Sequence, residues 1–281
     1  MHRVFVAFFL VATAEANFAV ITGSHQGEPI RMINGYPVVS AFLNNRGPFR
    51  MLLDTGATRC ALRPTVAARL GLVAKCRILL TTVSGEQMVP SAQMTVHLPS
   101  SKGLNAEVLI YDLPALDRLE SPVDGLLGQS FLAQGPYLID YRAKRLWLGN
   151  TAQAQAQRLS LLLPVEFSYG RPIVLVRTSS RAEPFRLILD SGVSCLLFRC
   201  ANRCPDLLES GTLRAVSNAG VVEVRAGRLP AAFIGPIRLF GRQVILMKQS
   251  LDRGEGEGSV PLQWFSAVYV DPTQSLIRLA R

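Results

Sequence analysis

Met51-Leu52-Leu53-Asp54-Thr55-Gly56-Ala57 returns later in the same chain as Leu187-Ile188-Leu189-Asp190-Ser191-Gly192-Val193. In both stretches an apolar triplet runs into an aspartate, a hydroxyl residue and a glycine. An unbroken apolar triplet reads as a strand buried on both faces, and the glycine after it lets the backbone turn tightly. Each aspartate therefore sits where a buried strand gives way to a loop. The echo extends outward from this stretch. Gly47-Pro48-Phe49-Arg50 matches Glu183-Pro184-Phe185-Arg186 at the offset of 136 that separates Asp54 from Asp190, and Tyr36-Pro37-Val38-Val39 matches Arg171-Pro172-Ile173-Val174 at 135. Downstream, Val83-Ser84 matches Val216-Ser217 at 133, and Tyr137-Leu138-Ile139-Asp140 matches Val268-Tyr269-Val270-Asp271 at 131. The order of features is kept, so the chain reads as two copies of one unit, the second lacking a few loop residues.

The copies are expected at 27–150 and 159–281, joined by the polar stretch around Thr151-Ala152-Gln153-Ala154-Gln155-Ala156-Gln157, a linker or short exposed helix over 151–158. Short aliphatic and β-branched runs bounded by Gly, Pro, Asn and Ser predict mostly strand within each copy. Pro64-Thr65-Val66-Ala67-Ala68-Arg69-Leu70-Gly71 predicts one short helix, with Pro at its start and Gly past its end, and a helix is expected in each copy. At the N-terminus, Met1-His2-Arg3, an apolar run from Val4 to Ala12 and the small-x-small pattern Ala14-Glu15-Ala16 read as a secretory signal peptide over residues 1–16. The run is too short to span a bilayer, and no later segment is long enough. An exported protein, periplasmic or extracellular, is expected.

With 49% hydrophobic and 18% charged residues among 281, the chain has ample apolar material for two cores. Its net charge of +10 comes from dispersed arginines, without a basic block or aromatic interleaving, so no nucleic-acid role is expected. Five cysteines and an oxidising compartment permit disulfides and leave at least one thiol unpaired. Cys200-Ala201-Asn202-Arg203-Cys204 has no histidine near it, which favours a disulfide or inert thiols over a metal site. No metal or other cofactor is expected. None of the three histidines stands in a nucleophile motif, so Ser/His/Asp and Cys/His chemistry find no support.

Leu53-Asp54-Thr55-Gly56-Ala57, the Val83-Ser84-Gly85 hairpin and Leu126-Leu127-Gly128 together resemble one half of a retropepsin-like aspartic protease. Two halves in one chain resemble the pepsin arrangement. The resemblance implies an all-β fold with short helices, built as two barrel-like halves related by a pseudo-two-fold axis. It implies Asp54 and Asp190 as the catalytic pair, with Thr55, Gly56, Ser191 and Gly192 supporting their loops. Flaps are implied at Val83, Ser84 and Gly85 and at Val216, Ser217 and Gly220, and Leu126, Leu127 and Gly128 would form the strand beneath the first loop. The chemistry implied is hydrolysis of a peptide bond by water held between two carboxyls that share a proton, a pairing for which aspartic proteases are the standard illustration. The partner is then a peptide or protein bound across the cleft, without a cofactor. A monomer is expected to hold both aspartates; pairing of first halves from two chains is the alternative assembly. The second copy departs from the pattern where Val260-Pro261-Leu262-Gln263-Trp264-Phe265 stands for the two aliphatics and glycine, with Leu262 or a near neighbour expected in the glycine's place. That departure leaves open a second reading, a non-catalytic peptide-binding protein using the same cleft.

Overall fold

The computed structural model describes residues 5–7, 26–82, 85–179, 183–200, 203–217, 220–248 and 256–281. Three sheets account for nearly all of its regular structure. The first half forms an eight-stranded sheet in the spatial order Arg31–Ile33, Tyr36–Leu43, Arg46–Leu53, Gly125–Leu127, Cys60–Leu62, Leu104–Ile110, Gly85–His97, Cys76–Thr82. The second half forms a nine-stranded sheet, of which the outermost strand is Phe5–Ala7, running parallel to Ala215–Ser217. Without that N-terminal strand both halves contribute eight. The rest of the expected signal peptide lies outside the described residues. A six-stranded sheet joins the halves: Tyr137–Asp140 of the first pairs antiparallel with Ala267–Asp271 of the second. The chain is thus an all-β, bilobal protein.

The repeat in sequence is a repeat in backbone pairing. Arg46–Leu53 lies between Tyr36–Leu43, antiparallel, and Gly125–Leu127, parallel, so Met51, Leu52 and Leu53 are fully buried, as a strand covered on both faces requires. Phe185–Asp190 lies in the same way between Arg171–Arg177 and Gly258–Pro261. Even the cross-braces correspond. Arg50 N–H donates to Asp124 Oδ2 and Asp124 N–H to Arg50 O; Arg186 N–H donates to Glu257 Oε2 and Glu257 N–H to Arg186 O.

The helix Pro64–Leu70 forms with Pro at its start and ends on Gly71, whose φ of 66° only glycine adopts freely; Val66, Ala67 and Leu70 turn inward. The expectation of a matching helix in the second copy fails. There the described residues 203–207 are irregular, Pro205 interrupts them, and a Cys200–Cys204 disulfide ties the segment instead. The alanine–glutamine stretch is a helix, Gly149–Ala156, but not a wholly exposed one. Ala152 and Ala156, four residues apart on one face, pack against Leu138, Trp147 and Tyr269 of the joining sheet. Among the described residues no helix is long and apolar enough to cross a membrane.

Candidate active site

Asp54 directly follows the central strand Arg46–Leu53 and Asp190 ends the central strand Phe185–Asp190, and the two loops that follow meet across the pseudo-two-fold axis. Both aspartates are fully buried. Their proximity is measured by the glycines: a Cβ placed on Gly56 would lie 2.3 Å from Asp190 Oδ2, and one on Gly192 would lie 2.7 Å from Asp54 Oδ1. Each carboxyl therefore rests against the glycine of the other loop, a contact that no larger residue allows.

Four hydrogen bonds lock the loops to each other. Thr55 N–H donates to Ser191 Oγ (3.0 Å) and Ser191 N–H to Thr55 Oγ1 (3.0 Å). Each hydroxyl passes its own proton on to the strand of the opposite half, Thr55 Oγ1 to Leu189 O (2.8 Å) and Ser191 Oγ to Leu53 O (2.7 Å). A hydroxyl is needed at both positions because only a group that accepts and donates at once can close this circuit. Within the loops, Asp54 Oδ1 accepts from Gly56 N–H (3.1 Å) and Ala57 N–H (3.0 Å), and Asp190 Oδ1 accepts from Gly192 N–H (2.7 Å). Each Oδ2 is buried without a protein hydrogen-bond partner.

Burial raises the pKa of Asp54 well above the ordinary carboxyl value, and the charge of Asp190 raises it further; the two loop N–H groups and the guanidinium of Arg171 oppose this. Burial likewise raises Asp190, opposed by Gly192 N–H, the Ser259 hydroxyl and the cations Arg171 and Arg199. Two carboxyls so placed resist double ionisation and titrate as one unit.

Below the first loop, Leu126 and Leu127 pair with Leu52 and Leu53, and Leu127 O accepts from Asp54 N–H (2.9 Å). Gly128 is confined: a Cβ there would meet Arg59 O at 2.3 Å. Past it, Gln129 N–H reaches Ala57 O (2.9 Å) while Gln129 Nε2 donates to Thr55 O (2.8 Å). In the second half the pairing of Val260 with Leu189 puts Pro261, the neighbour of Leu262, where Gly128 stands in the first. Gly258 corresponds to Gly125, and both are held by close backbone approach, to Leu197 O and Ala61 O respectively. The backbone bond to the loop is replaced by a side chain, since Gln263 Nε2 donates to Val193 O (2.6 Å).

Both expected flaps are hairpins. Cys76–Thr82 pairs with Gly85–His97, the Thr82–Gly85 pair closing its end, and Leu208–Ser217 pairs with Gly220–Ile234, closed by Ser217–Gly220. Val83 and Ser84 lie outside the described residues. Val216 is buried among Leu80, Leu109 and Leu116 of the first half, so the second hairpin reaches across the axis. Among the described residues no cluster of His, Cys, Asp or Glu could hold a metal ion. Gln129, Gln263 and Arg171 were not singled out in the sequence. Arg171 appeared there only as the residue standing opposite Tyr36 in the repeat, and Gln263 only within the stretch that departs from the pattern.

Residues 39–131 match the family model described as aspartyl protease. The fold is similar to that in the crystal structure of an aspartic proteinase from Irpex lacteus, with a TM-score of 0.51 and 14% identity over 92% of this chain and 97% of that one. No curated protein matches the chain by sequence. The first half thus carries an aspartyl-protease signature, and the whole chain has a pepsin-like bilobal fold.

Proposed function

We propose that this chain is an aspartic protease, an exported endopeptidase, periplasmic or extracellular, that hydrolyses peptide bonds with a water activated between Asp54 and Asp190. The observation that carries the reading is the pair of buried carboxyls. Each rests on the other loop's glycine and has Oδ1 held by loop N–H groups, with an Oδ2 that no protein group occupies. One carboxylate takes a proton from the water as its oxygen bonds to the scissile carbonyl carbon, while the protonated partner donates to the carbonyl oxygen. Collapse of the tetrahedral intermediate breaks the C–N bond, and a proton passes from the pair to the leaving amine. The hydroxyl circuit of Thr55 and Ser191 keeps the carboxyls from moving apart as charge shifts between them.

The peptide lies extended across the cleft, its backbone pairing with the two hairpins. Residues 1–16 act as the signal peptide, 27–150 and 159–281 as the halves, and one chain suffices for activity. A binding-only role drew its support from the altered stretch after Val260, yet Gln263 supplies there the loop bond that the backbone supplies in the first half. Cleavage of a peptide library by the mature protein, with Asp54→Asn and Asp190→Asn each abolishing it, is the expected result. Cleavage that survives Asp190→Asn but not Asp54→Asn would overturn the intramolecular pair, and cleavage that survives both would overturn the reading.

A further inference from the structure

Among the described residues Arg171 is the largest fully buried side chain. Its place follows from register. Ile173 pairs with Ile188, and two more residues along each strand bring Arg171 level with Asp190. In the first half Val38 pairs with Leu52, and the same step brings Tyr36 level with Asp54. The pseudo-two-fold thus sets a phenol beside one aspartate and a guanidinium beside the other. The turn that precedes Arg171 lies on the first half, with a Cβ on Gly170 falling 3.1 Å from Gln129 Cβ, and Gln129 itself bonds Thr55 O. Arg171 Nε donates to Ser168 O (3.1 Å), and its guanidinium stands over the Tyr169 ring at 5.8 Å. These contacts fix a permanent cation at the seam between the two catalytic loops. A guanidinium does not shed its charge in a protein, and burying one is costly unless an anion compensates it.

We infer that Arg171 is a positioning residue for the reaction, a built-in counter-cation that holds the Asp54–Asp190 pair at one negative charge. The inference rests on the catalytic pair proposed above. Its charge reaches both carboxyls and draws both downward, whereas Arg199, the other buried cation facing the pair, acts on Asp190. The remaining titratable neighbours are Tyr36, which hydrogen-bonds Ser194, and Tyr111, Tyr141 and Cys195. Burial pushes all four upward, so they stay neutral while the carboxyls titrate. Arg59, beneath the first loop, is paired with Glu107. Without Arg171 the proton would leave the first carboxyl only at higher pH, and the shared proton would also be held longer. Both limbs of a bell-shaped profile would move to higher pH.

The test compares kcat/KM against pH for the wild type, Arg171→Gln, Arg171→Met and Arg171→Lys, alongside NMR titration of 13C-labelled aspartate carboxyls. Both limbs of the two neutral variants should rise by about one pH unit. Arg171→Lys should keep them within about 0.3 unit of wild type while losing some rate. Limbs unchanged in a folded neutral variant would overturn the inference, even if activity fell. Should neither neutral variant fold, the lysine variant decides, because charge is what the two side chains share: coincident limbs support the inference and displaced limbs refute it. Absence of Asp54-dependent cleavage in the wild type would refute the protease reading instead. The carboxyl titrations would still report whether Arg171 sets the charge of the pair.

Discussion

Gly56→Ala adds one methyl group at the narrowest point of the site. Its Cβ would stand 2.3 Å from Asp190 Oδ2, 2.4 Å from Cγ and 2.6 Å from Oδ1. Ordinary non-bonded contact needs ~3.5 Å, so the carboxyl or the loop must retreat by about 1 Å. Asp190 cannot swing aside freely, because Gly192 N–H holds Oδ1 at 2.7 Å. The loop cannot open easily either, because the Thr55–Ser191 circuit ties it to the other half. Overpacking of this kind costs about 1–3 kcal/mol of stability. A misplacement of about 1 Å at reacting groups costs on the order of 100-fold in rate. The assay is kcat/KM on a quenched fluorescent peptide, with urea unfolding of the same samples. Gly192→Ala, with its nearest contact at 2.7 Å, should lose less. Gly211→Ala, which meets nothing within 4 Å, should behave as wild type. If Gly56→Ala kept kcat/KM within about threefold of wild type, the carboxyls would not be packed against the opposite glycines, and the geometric argument would fail.

Two further outcomes test other parts of the site. Gln263→Leu removes the donor to Val193 O and should destabilise the protein by about 1–2 kcal/mol, lowering activity mainly through a looser Asp190 loop; unfolding midpoints equal to wild type would show that the contact carries no weight. Asp54→Asn should stabilise the protein at pH 7 by on the order of 1–3 kcal/mol, because burial and Asp190 raise the native pKa of Asp54 above its unfolded value. A carboxyl with a raised native pKa favours the folded state at low pH and disfavours it as pH climbs through that pKa. The gain from asparagine should therefore vanish near pH 3; a gain independent of pH would contradict the assigned direction.

The facing aspartates were legible because their signals are local: an apolar triplet, an acid, a hydroxyl and a glycine, twice, in the same order. The hairpins were legible for a similar reason, since Gly85 and Gly220 mark their turns. The counterpart of Gly128 was legible only as Leu262 or a near neighbour, because Val260-Pro261-Leu262 holds no glycine to anchor the comparison. Backbone pairing of Val260 with Leu189 settles the register, and pairing is not written in residue types. The helix expected after the second motif rested on symmetry alone; Pro205 and the Cys200–Cys204 bridge decide that segment locally. Gln129, Gln263 and Arg171 are long polar side chains whose partners lie many residues away. No local pattern tells where such a side chain ends, and each becomes visible only when the two halves are packed together.

How far the second half can diverge follows from which bonds cross the axis. Thr55 Oγ1 holds Ser191 N–H and Leu189 O, and Ser191 Oγ holds Thr55 N–H and Leu53 O, so a change in either hydroxyl acts on both strands that lead into the aspartates. The glycines are bound by the same logic, each fitted to the other half's carboxyl. Residues that only support a loop within one half are under no such constraint. That is where the halves differ: Pro261 with Gln263 in place of Gly128 and the Gln129 backbone, and a disulfide in place of the helix Pro64–Leu70. The same distinction bears on assembly. Pairing first halves from two chains would have to part Tyr137–Asp140 from Ala267–Asp271, a ladder buried at the centre of the joining sheet, and would bring Thr55 against a second threonine. A buried ladder opened in this way leaves backbone groups unpaired, each costing about 1–3 kcal/mol. The pair Asp54 and Asp190 within one chain keeps every one of those bonds, which is why a single chain is the unit proposed to act.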